Sequence, residues 1–199
     1  MTSDSASAMH TDLERELLTA LRRHLTTAGF HVAPDIPPKK LAAALKSCGV
    51  PSAERVLALL DCTVLGSATD GLLVGLEGVY YHNDWSGKSA GSGVVRYREL
   101  LRHRIEDGGF MEVSLGGNHY VNVAGCSASK KEVLEILADV QEAIWNVKKL
   151  RPDLFDGPGA VESQRVAVSC SACGAIMNVS QSLLGGSVVC ANCGARVTV

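Results

Sequence analysis

Aromatic residues, net charge and long apolar runs are all scarce in this sequence, and each scarcity excludes a class of function. Aromatics make up 5% of the 199 residues, which leaves few rings for stacking on nucleic-acid bases. The formal net charge is -2 at pH 7, so no global field draws the protein to nucleic acid or anionic lipid. The longest apolar run, 56–60, is far shorter than the roughly 20 residues that cross a bilayer. We therefore expect no membrane partner.

A secretory signal is also missing from residues 1–10, which are rich in serine and alanine and lack a basic start followed by an apolar stretch. The chain has seven cysteines, of which Cys48, Cys62 and Cys126 are scattered. This odd remainder argues against a full disulfide framework. In a reducing cytosol the CxxC pairs among the other cysteines favour a metal over disulfides. We expect a cytoplasmic protein.

Four cysteines form two CxxC motifs near the C-terminus. Cys170-x-x-Cys173 and Cys190-x-x-Cys193 are separated by sixteen residues. A CxxC turn brings two thiolates to one ion, and two such turns complete a tetrahedral four-sulfur site. Because four protein ligands leave no open position for water, the motif predicts one structural Zn²⁺. The alternatives are a redox dithiol pair, or iron in the same geometry.

The segment 165–199 resembles the zinc ribbons common in prokaryotic proteins. A ribbon of this size cannot build a sufficient core alone, so metal binding should supply much of its folding energy. Only Arg165 and Arg196 are basic from residue 164 onward, and the segment has no aromatic residue. Contact with protein is therefore favoured over nucleic acid. The segments that fit strands are 165–169, 175–179, 187–189 and 195–199.

The chain before the ribbon divides into helical and strand-rich parts, which predicts an α+β fold. The first helix is predicted to start at Thr11, after a disordered stretch, because Thr11 and Glu14 have capping-box spacing. A second helix is predicted over 38–47, between a proline-rich break and a glycine. We predict four parts: 1–50 with a disordered start and N-terminal helices, 51–150 as a sheet-and-helix domain, 151–164 as a linker, and 165–199 as the ribbon.

Short apolar segments separated by glycine turns predict an antiparallel sheet in the middle of the chain. The sheet is closed by a C-terminal helix from Ser129 to about Leu150, where Ser129 and Glu132 again have capping-box spacing. The predicted strands cover 54–65, 72–82, a segment starting at Val94 and including Tyr97, 102–106, 111–115 and 120–123.

Residues 70–74 (Asp-Gly-Leu-Leu-Val) and 78–81 (Gly-Val-Tyr-Tyr), followed by 95–100 (Val-Arg-Tyr-Arg-Glu-Leu), resemble bacterial PH-like domains. The resemblance covers roughly residues 52–148. It implies a binding scaffold without catalytic residues, although a fold alone does not define a ligand. In PH domains that bind phosphoinositides, basic residues line the turn after the first strand. Here that turn, 66–71, has none, so lipid binding is disfavoured.

Two features of the middle domain are candidates for partner binding. Arg96, Arg98, Arg102 and Arg104 are separated by even numbers of positions, and on one continuous strand they would share a face. This arginine stripe is either a solvated face or a docking surface for an acidic partner. Trp85 follows a tyrosine pair, and it either anchors a partner or caps the core.

No motif for catalysis stands out. A nucleophile elbow is missing, and the segment 87–89 (Gly-Lys-Ser) lacks the earlier glycine of a phosphate-binding loop. We therefore expect a non-enzymatic, zinc-binding adaptor whose PH-like domain and ribbon bind a protein, either an unknown partner or a second copy. The alternatives are a nucleic-acid-associated regulator that uses the arginine stripe and the ribbon, and an unrecognised hydrolase.

Overall fold

A computed structural model describes most of the chain as two compact units, Met1–Phe155 and Asp156–Val199. The residues described are 3–84, 90–152, 155, 165–174, 176–180, 187–189, 193 and 195–198. The first unit combines helices with antiparallel sheets, and the second contains two antiparallel strand pairs. The fold class is therefore α+β, as the sequence predicted. Within this part of the chain, no helix has both the length and the apolar content to span a membrane.

The N-terminal helices are α1, Ser3–Leu21, which continues into a 3-10 turn, and α2, Pro38–Ser47. The bounds of α2 agree with the prediction, and Pro38 occupies the first helical position that proline favours. The predicted helix start at Thr11 is wrong, because α1 begins at Ser3, eight positions earlier. No glycine or proline precedes Gly29, so nothing in the local sequence stops the helix at Thr11.

A five-stranded antiparallel sheet, in the order β1-β2-β3-β4-β5, forms the centre of the first unit. Its strands are β1 Phe30–Val32, β2 Val56–Asp61, β3 Gly71–Gly75, β4 Gly78–Asn83 and β5 Gly91–Arg96. The predicted single strand 72–82 is therefore a hairpin of β3 and β4. The chain turns because the Glu54 carboxylate accepts the N–H groups of Leu76 and Glu77, at 2.6 and 3.2 Å.

A three-stranded antiparallel sheet follows, made of β6 Glu106–Gly109, β7 Glu112–Gly116 and β8 His119–Asn122. The sequence misplaced the strands before it. Tyr97 is not in a strand but begins the short helix α3, Tyr97–Leu100, and its buried hydroxyl donates to the Gly75 carbonyl. The predicted strand 102–106 does not form. The chain turns after α3, where the Arg102 N–H donates to the Glu99 carbonyl at 2.9 Å, and β6 begins only at Glu106.

The long helix α4, Lys130–Leu150, confirms its prediction together with its capping box. The Ser129 hydroxyl accepts the Glu132 N–H at 3.3 Å, and the Ser129 N–H donates to the Glu132 carboxylate at 2.7 Å. These two bonds satisfy backbone donors that a helix start leaves unpaired. The buried stripe of α4 consists of Val133, Ile136, Leu137, Val140, Ala143, Ile144 and Val147.

The core has two parts, one on each face of the five-stranded sheet. The larger part joins α1, α4 and the three-stranded sheet to one face. The smaller part packs α2 through Ala44 onto Leu59, Leu73 and Tyr80 of the other face. Because both faces are covered, β2 and β3 are nearly continuous apolar runs.

The buried Asn83 side chain connects the two sheets. Its Nδ2 donates to the Tyr120 carbonyl at 2.8 Å, and its Oδ1 accepts the Asn122 N–H at 2.9 Å. The amide thus takes the place of a strand neighbour for β8, because it offers one donor and one acceptor, as a peptide group does.

One disulfide, Cys62–Cys126, joins the end of β2 to the loop between β8 and α4. A side chain at Gly125 would overlap the Cys62 carbonyl, so glycine at this position allows the two backbones to approach. The cysteines are 64 positions apart, and no local pattern in the sequence pairs them.

The second unit contains two hairpin-like pairs. β9, Arg165–Ser169, pairs with β10, Ile176–Ser180, and β11, Ser187–Val189, pairs with β12, Arg196–Thr198. The predicted strands 165–169 and 187–189 have these bounds, and the other two differ at their ends. Two of the residues predicted at strand ends, Ala175 and Val199, lie outside the described residues.

Candidate metal centre

Strand ends of the second unit carry the cysteines of the candidate metal centre. Cys170 directly follows β9, Cys173 lies in the turn before β10, and Cys193 lies shortly before β12. The Gly174 N–H donates to the Cys170 carbonyl at 2.8 Å. Gly174 has φ of +73°, a left-handed conformation that glycine adopts without steric cost. This tight turn returns the chain so that Cys170 and Cys173 lie near each other.

The cysteine sulfurs lie at a spacing suited to one metal ion. Cys170 Sγ and Cys193 Sγ are 3.7 Å apart, and Cys173 Sγ is within 4.8 Å of both. A disulfide would place two sulfurs about 2.05 Å apart. By contrast, zinc–sulfur bonds of about 2.3 Å in a tetrahedron place the sulfurs about 3.8 Å apart. The three thiols therefore form a group that could hold a metal ion.

The predicted fourth ligand, Cys190, lies outside the described residues. The structure thus brings together Cys170, Cys173 and Cys193, of which Cys170 is buried and the other two are exposed. Thiolate sulfur is a soft ligand that suits zinc or iron and not magnesium or calcium. The ligand type therefore restricts the class of metal without selecting one ion.

The structure does not place the arginine stripe on one strand. Arg96 ends β5, where its guanidinium pairs with Glu77 and donates to the Tyr80 hydroxyl at 3.2 Å. Arg98 lies on α3 and donates through Nε to the Phe155 carbonyl at 2.8 Å. The other two members, Arg102 and Arg104, are exposed in the segment before β6. The four side chains therefore lack the shared strand face that the even spacing suggested, because α3 interrupts the strand.

The other sequence features named above, and the remaining reactive side chains, are placed as follows. Trp85 and the segment 87–89 lie outside the described residues. Cys62 is bonded to Cys126, so neither is a thiol nucleophile in this structure. His119 lies between two other groups, with Nδ1 2.9 Å from the Tyr81 hydroxyl and Nε2 3.5 Å from the Glu99 carboxylate.

A second group of possible metal ligands was missed by the sequence reasoning. Asp70, His82 and Asp84 each offer one ligand atom, and these atoms lie within 4.8 Å of one another. Asp70 precedes β3, whereas His82 and Asp84 are at the end of β4. The spacing of His82 and Asp84, two residues apart, was a weak signal. Their meeting with Asp70 depends on the β3–β4 hairpin.

Comparison with protein-family models, with curated proteins and with solved structures finds no match. The class that the fold and the site define is an α+β protein with a cysteine group able to bind a metal ion.

Proposed function

We propose that this protein is a non-enzymatic zinc-binding adaptor, in which a C-terminal zinc ribbon and a PH-like domain act as protein-binding surfaces. The observation that supports the zinc is the 3.7 Å separation of Cys170 Sγ and Cys193 Sγ. These sulfurs come from different CxxC motifs, 23 positions apart. One ion would therefore tie the two strand pairs of the ribbon together.

The proposed zinc is structural. With Cys190 as the fourth ligand, the site has four thiolates and no open position, whereas catalytic zinc keeps one for water or substrate. Each half of the ribbon is a single strand pair, and an isolated hairpin is marginally stable at best in water. The metal would then supply folding energy that the small core lacks.

The zinc proposal is tested by metal content. The full chain, purified without chelator and analysed by mass spectrometry of its metals, should carry one zinc per chain. Replacing Cys170 and Cys190 by serine together should remove it. Cys48→Ala is the matched control, because Cys48 is buried at the C-terminal end of α2 and belongs to no group of possible ligands among the described residues. Zinc well below one per chain, with the strands of the ribbon intact, would contradict the proposal.

The adaptor role is supported by exposed apolar side chains on two loops of the first unit. Leu65, in the β2–β3 loop, is 95% exposed, and Phe110, in the β6–β7 turn, is 91% exposed. Both loops contact the segment 123–126. The Met111 carbonyl, next to Phe110, accepts the Val123 N–H at 2.8 Å, and Cys62, at the start of the β2–β3 loop, is bonded to Cys126. Contiguous exposed apolar surface is typical of protein-binding sites, so the proposed adaptor role requires these two loops to form one patch.

A native pull-down of the tagged full chain tests this role, with half of the sample treated with nuclease. A protein that survives the nuclease and is lost with Leu65→Asp or Phe110→Asp supports the adaptor. Thr69→Asp is the control, because it adds a charge to the same loop as Leu65 without removing an apolar side chain, and it should keep the partner. Recovery of nucleic acid alone would instead favour the regulator alternative.

A further inference from the structure

Asp70, His82 and Asp84 meet at one corner of the five-stranded sheet. In the β3–β4 pairing, Gly71 lies opposite His82. Asp70 immediately precedes Gly71, so it lies close to His82 on the neighbouring strand. Asp84 follows β4 directly. The hairpin therefore places two carboxylates beside one imidazole. The side chains of Asp70 and His82 are 13% and 20% exposed, and that of Asp84 is 60% exposed.

Both carboxylates face the same ring nitrogen. His82 Nδ1 is 2.8 Å from Asp70 Oδ1 and 3.7 Å from Asp84 Oδ1. The Asp84 N–H also donates to Asp70 Oδ1 at 3.1 Å, which holds Asp84 beside Asp70. A ring nitrogen carries at most one hydrogen. The Nδ1–H group can therefore donate a well-formed hydrogen bond to only one of the two carboxylate oxygens.

Within the part of the chain that the structure describes, no lysine or arginine forms an ion pair with the carboxylates of this corner. Among the described residues, the only ion-pair partner of Asp70 and Asp84 is His82. Among these residues, two carboxylates therefore face one imidazole, and like charges this close disfavour each other. A divalent cation would balance both carboxylates and accept the nitrogen lone pair at the same time.

The distances suit such an ion. Metal bonds to imidazole nitrogen and carboxylate oxygen are about 2.0–2.2 Å long, so two ligands of one ion lie about 3–4 Å apart. The two separations from His82 Nδ1, 2.8 and 3.7 Å, are close to this range. We propose that Asp70, His82 and Asp84 bind a divalent transition-metal ion, separate from the cysteine group. Three protein ligands leave positions open for water or for an oxygen of a bound ligand.

The ligand types predict which ions bind. Two carboxylate oxygens and one imidazole suit Mn²⁺ or Zn²⁺, whereas thiolates select softer ions. Mn²⁺ therefore reports on this corner without displacing zinc from the cysteines. The ion would join the start of β3 to the end of β4, so its binding should raise the melting temperature of the first unit.

The full chain is loaded with a single equivalent of zinc, which the thiolates take first. Its titration with MnCl₂, followed by the electron paramagnetic resonance signal of free Mn²⁺, tests the proposal. We expect saturable binding of one Mn²⁺ per chain. Asp84→Asn should weaken it at least about tenfold, and His82→Gln should do the same. Because Asp84 is largely exposed, its variant should keep the fold, as checked by circular dichroism. Asp35→Asn, which removes another exposed carboxylate, should leave the affinity unchanged.

Two results would overturn the proposal: no saturable Mn²⁺ binding up to millimolar concentration, or equal affinity in wild type, Asp84→Asn and His82→Gln. The Cys170→Ser, Cys190→Ser double variant separates this site from the proposed ribbon. It should lose zinc and still bind Mn²⁺, so failure of one site leaves the other testable.

Discussion

Asp61 is a buried carboxylate, 3% exposed, at the end of β2. Lys40 donates to its Oδ2 at 2.7 Å, and the N–H groups of Thr63 and Ala68 donate to its Oδ1 at 2.9 and 3.2 Å. Burial, the largest single influence, acts to raise the pKa of Asp61. The hydrogen bonds from Lys40 and Thr63 together outweigh burial, and the pKa is lowered. The charged form therefore organises the β2–β3 loop and stabilises the fold.

Replacing Asp61 by asparagine should lower the free energy of unfolding by about 2–3 kcal/mol at pH 7, since it removes charge-assisted hydrogen bonds from a buried site. Because the folded pKa is lowered, this contribution is present above the ordinary pKa of about 3.9. It is lost as the pH falls through the lower folded value. Urea unfolding of wild type and variant from pH 7 to pH 3 should show the difference shrinking only below about pH 4.

The matched control for this change is Asp107→Asn. Asp107 also pairs with a lysine, Lys130, at 2.6 Å, but on the exposed surface. Since exposed ion pairs contribute little, the control should change stability much less than Asp61→Asn. Equal effects of the two substitutions would show that burial does not govern the Asp61 contribution.

Gly71, the first residue of β3, combines a left-handed φ of +134° with a close backbone contact. A Cβ on Gly71 would overlap the Leu60 carbonyl. Gly49 also has a positive φ, +65°, but a Cβ on Gly49 would meet no other atom within 4 Å. The two positions therefore differ in both conformation and overlap, and Gly49 is the milder case, because φ of +65° lies in the left-handed helical region that other residues also reach.

Gly71→Ala should destabilise the protein by about 3 kcal/mol or more, because the β2–β3 ladder must shift to admit the methyl group. Gly49→Ala should cost only about 1 kcal/mol, which is the strain of the left-handed conformation. Thermal unfolding of the two variants measures both values. Similar losses would contradict the expected cost of the overlap at Gly71.

At the scale of elements, the Cys62–Cys126 bond connects β2 to the loop that leads into α4. It closes a segment that contains β3 to β8, with a separation of 64 positions. A cross-link of this kind limits the unfolded chain and stabilises the folded one, typically by about 2–4 kcal/mol.

Replacing Cys62 and Cys126 by alanine together should therefore lower the free energy of unfolding by about 2–4 kcal/mol relative to the oxidised protein. Adding a reductant to wild type should lower stability in the same direction. The double variant should not respond to the reductant. Cys48→Ala should respond as wild type does, because Cys48 is a buried thiol outside the bond. Wild-type stability that is unchanged by reduction would contradict the expectation.

At the scale of the whole molecule, the two compact units differ in what holds them. The first has a large apolar core with fully buried side chains on α4 and on the central strands. The second is described as two short strand pairs. A small domain without a sufficient core needs another source of folding energy, and metal ligation is one such source.

For the zinc ribbon proposed above, removing the metal with a strong chelator should therefore unfold residues 165–199 and leave Met1–Phe155 folded. In a ¹H–¹⁵N correlation spectrum, the amide signals of the ribbon should collapse to the centre while those of the first unit keep their positions. Adding zinc back should restore them, and adding magnesium should not. Collapse of both sets of signals together would show that the first unit also depends on the metal.

Local signals were enough for part of this fold. The capping box of Ser129 and Glu132 predicted the start of α4, and Pro38 predicted the start of α2, because both act within one helical turn. The CxxC motifs predicted a metal group for the same reason: each pair is built within a single turn. Three of the four cysteines lie together, and Cys190 remains a prediction.

Tertiary structure decided the features that join distant residues. Glu54 breaks the run 72–82 into two strands, and Tyr97 leaves the strand because its hydroxyl reaches the Gly75 carbonyl. Neither contact has a periodic signature in the sequence. The amino-acid sequence by itself determined α2, α4, the CxxC motifs and the α+β class, since these follow from contacts between near neighbours. The Cys62–Cys126 bond and the corner of Asp70, His82 and Asp84 exist only after strand pairing has brought separate segments into contact.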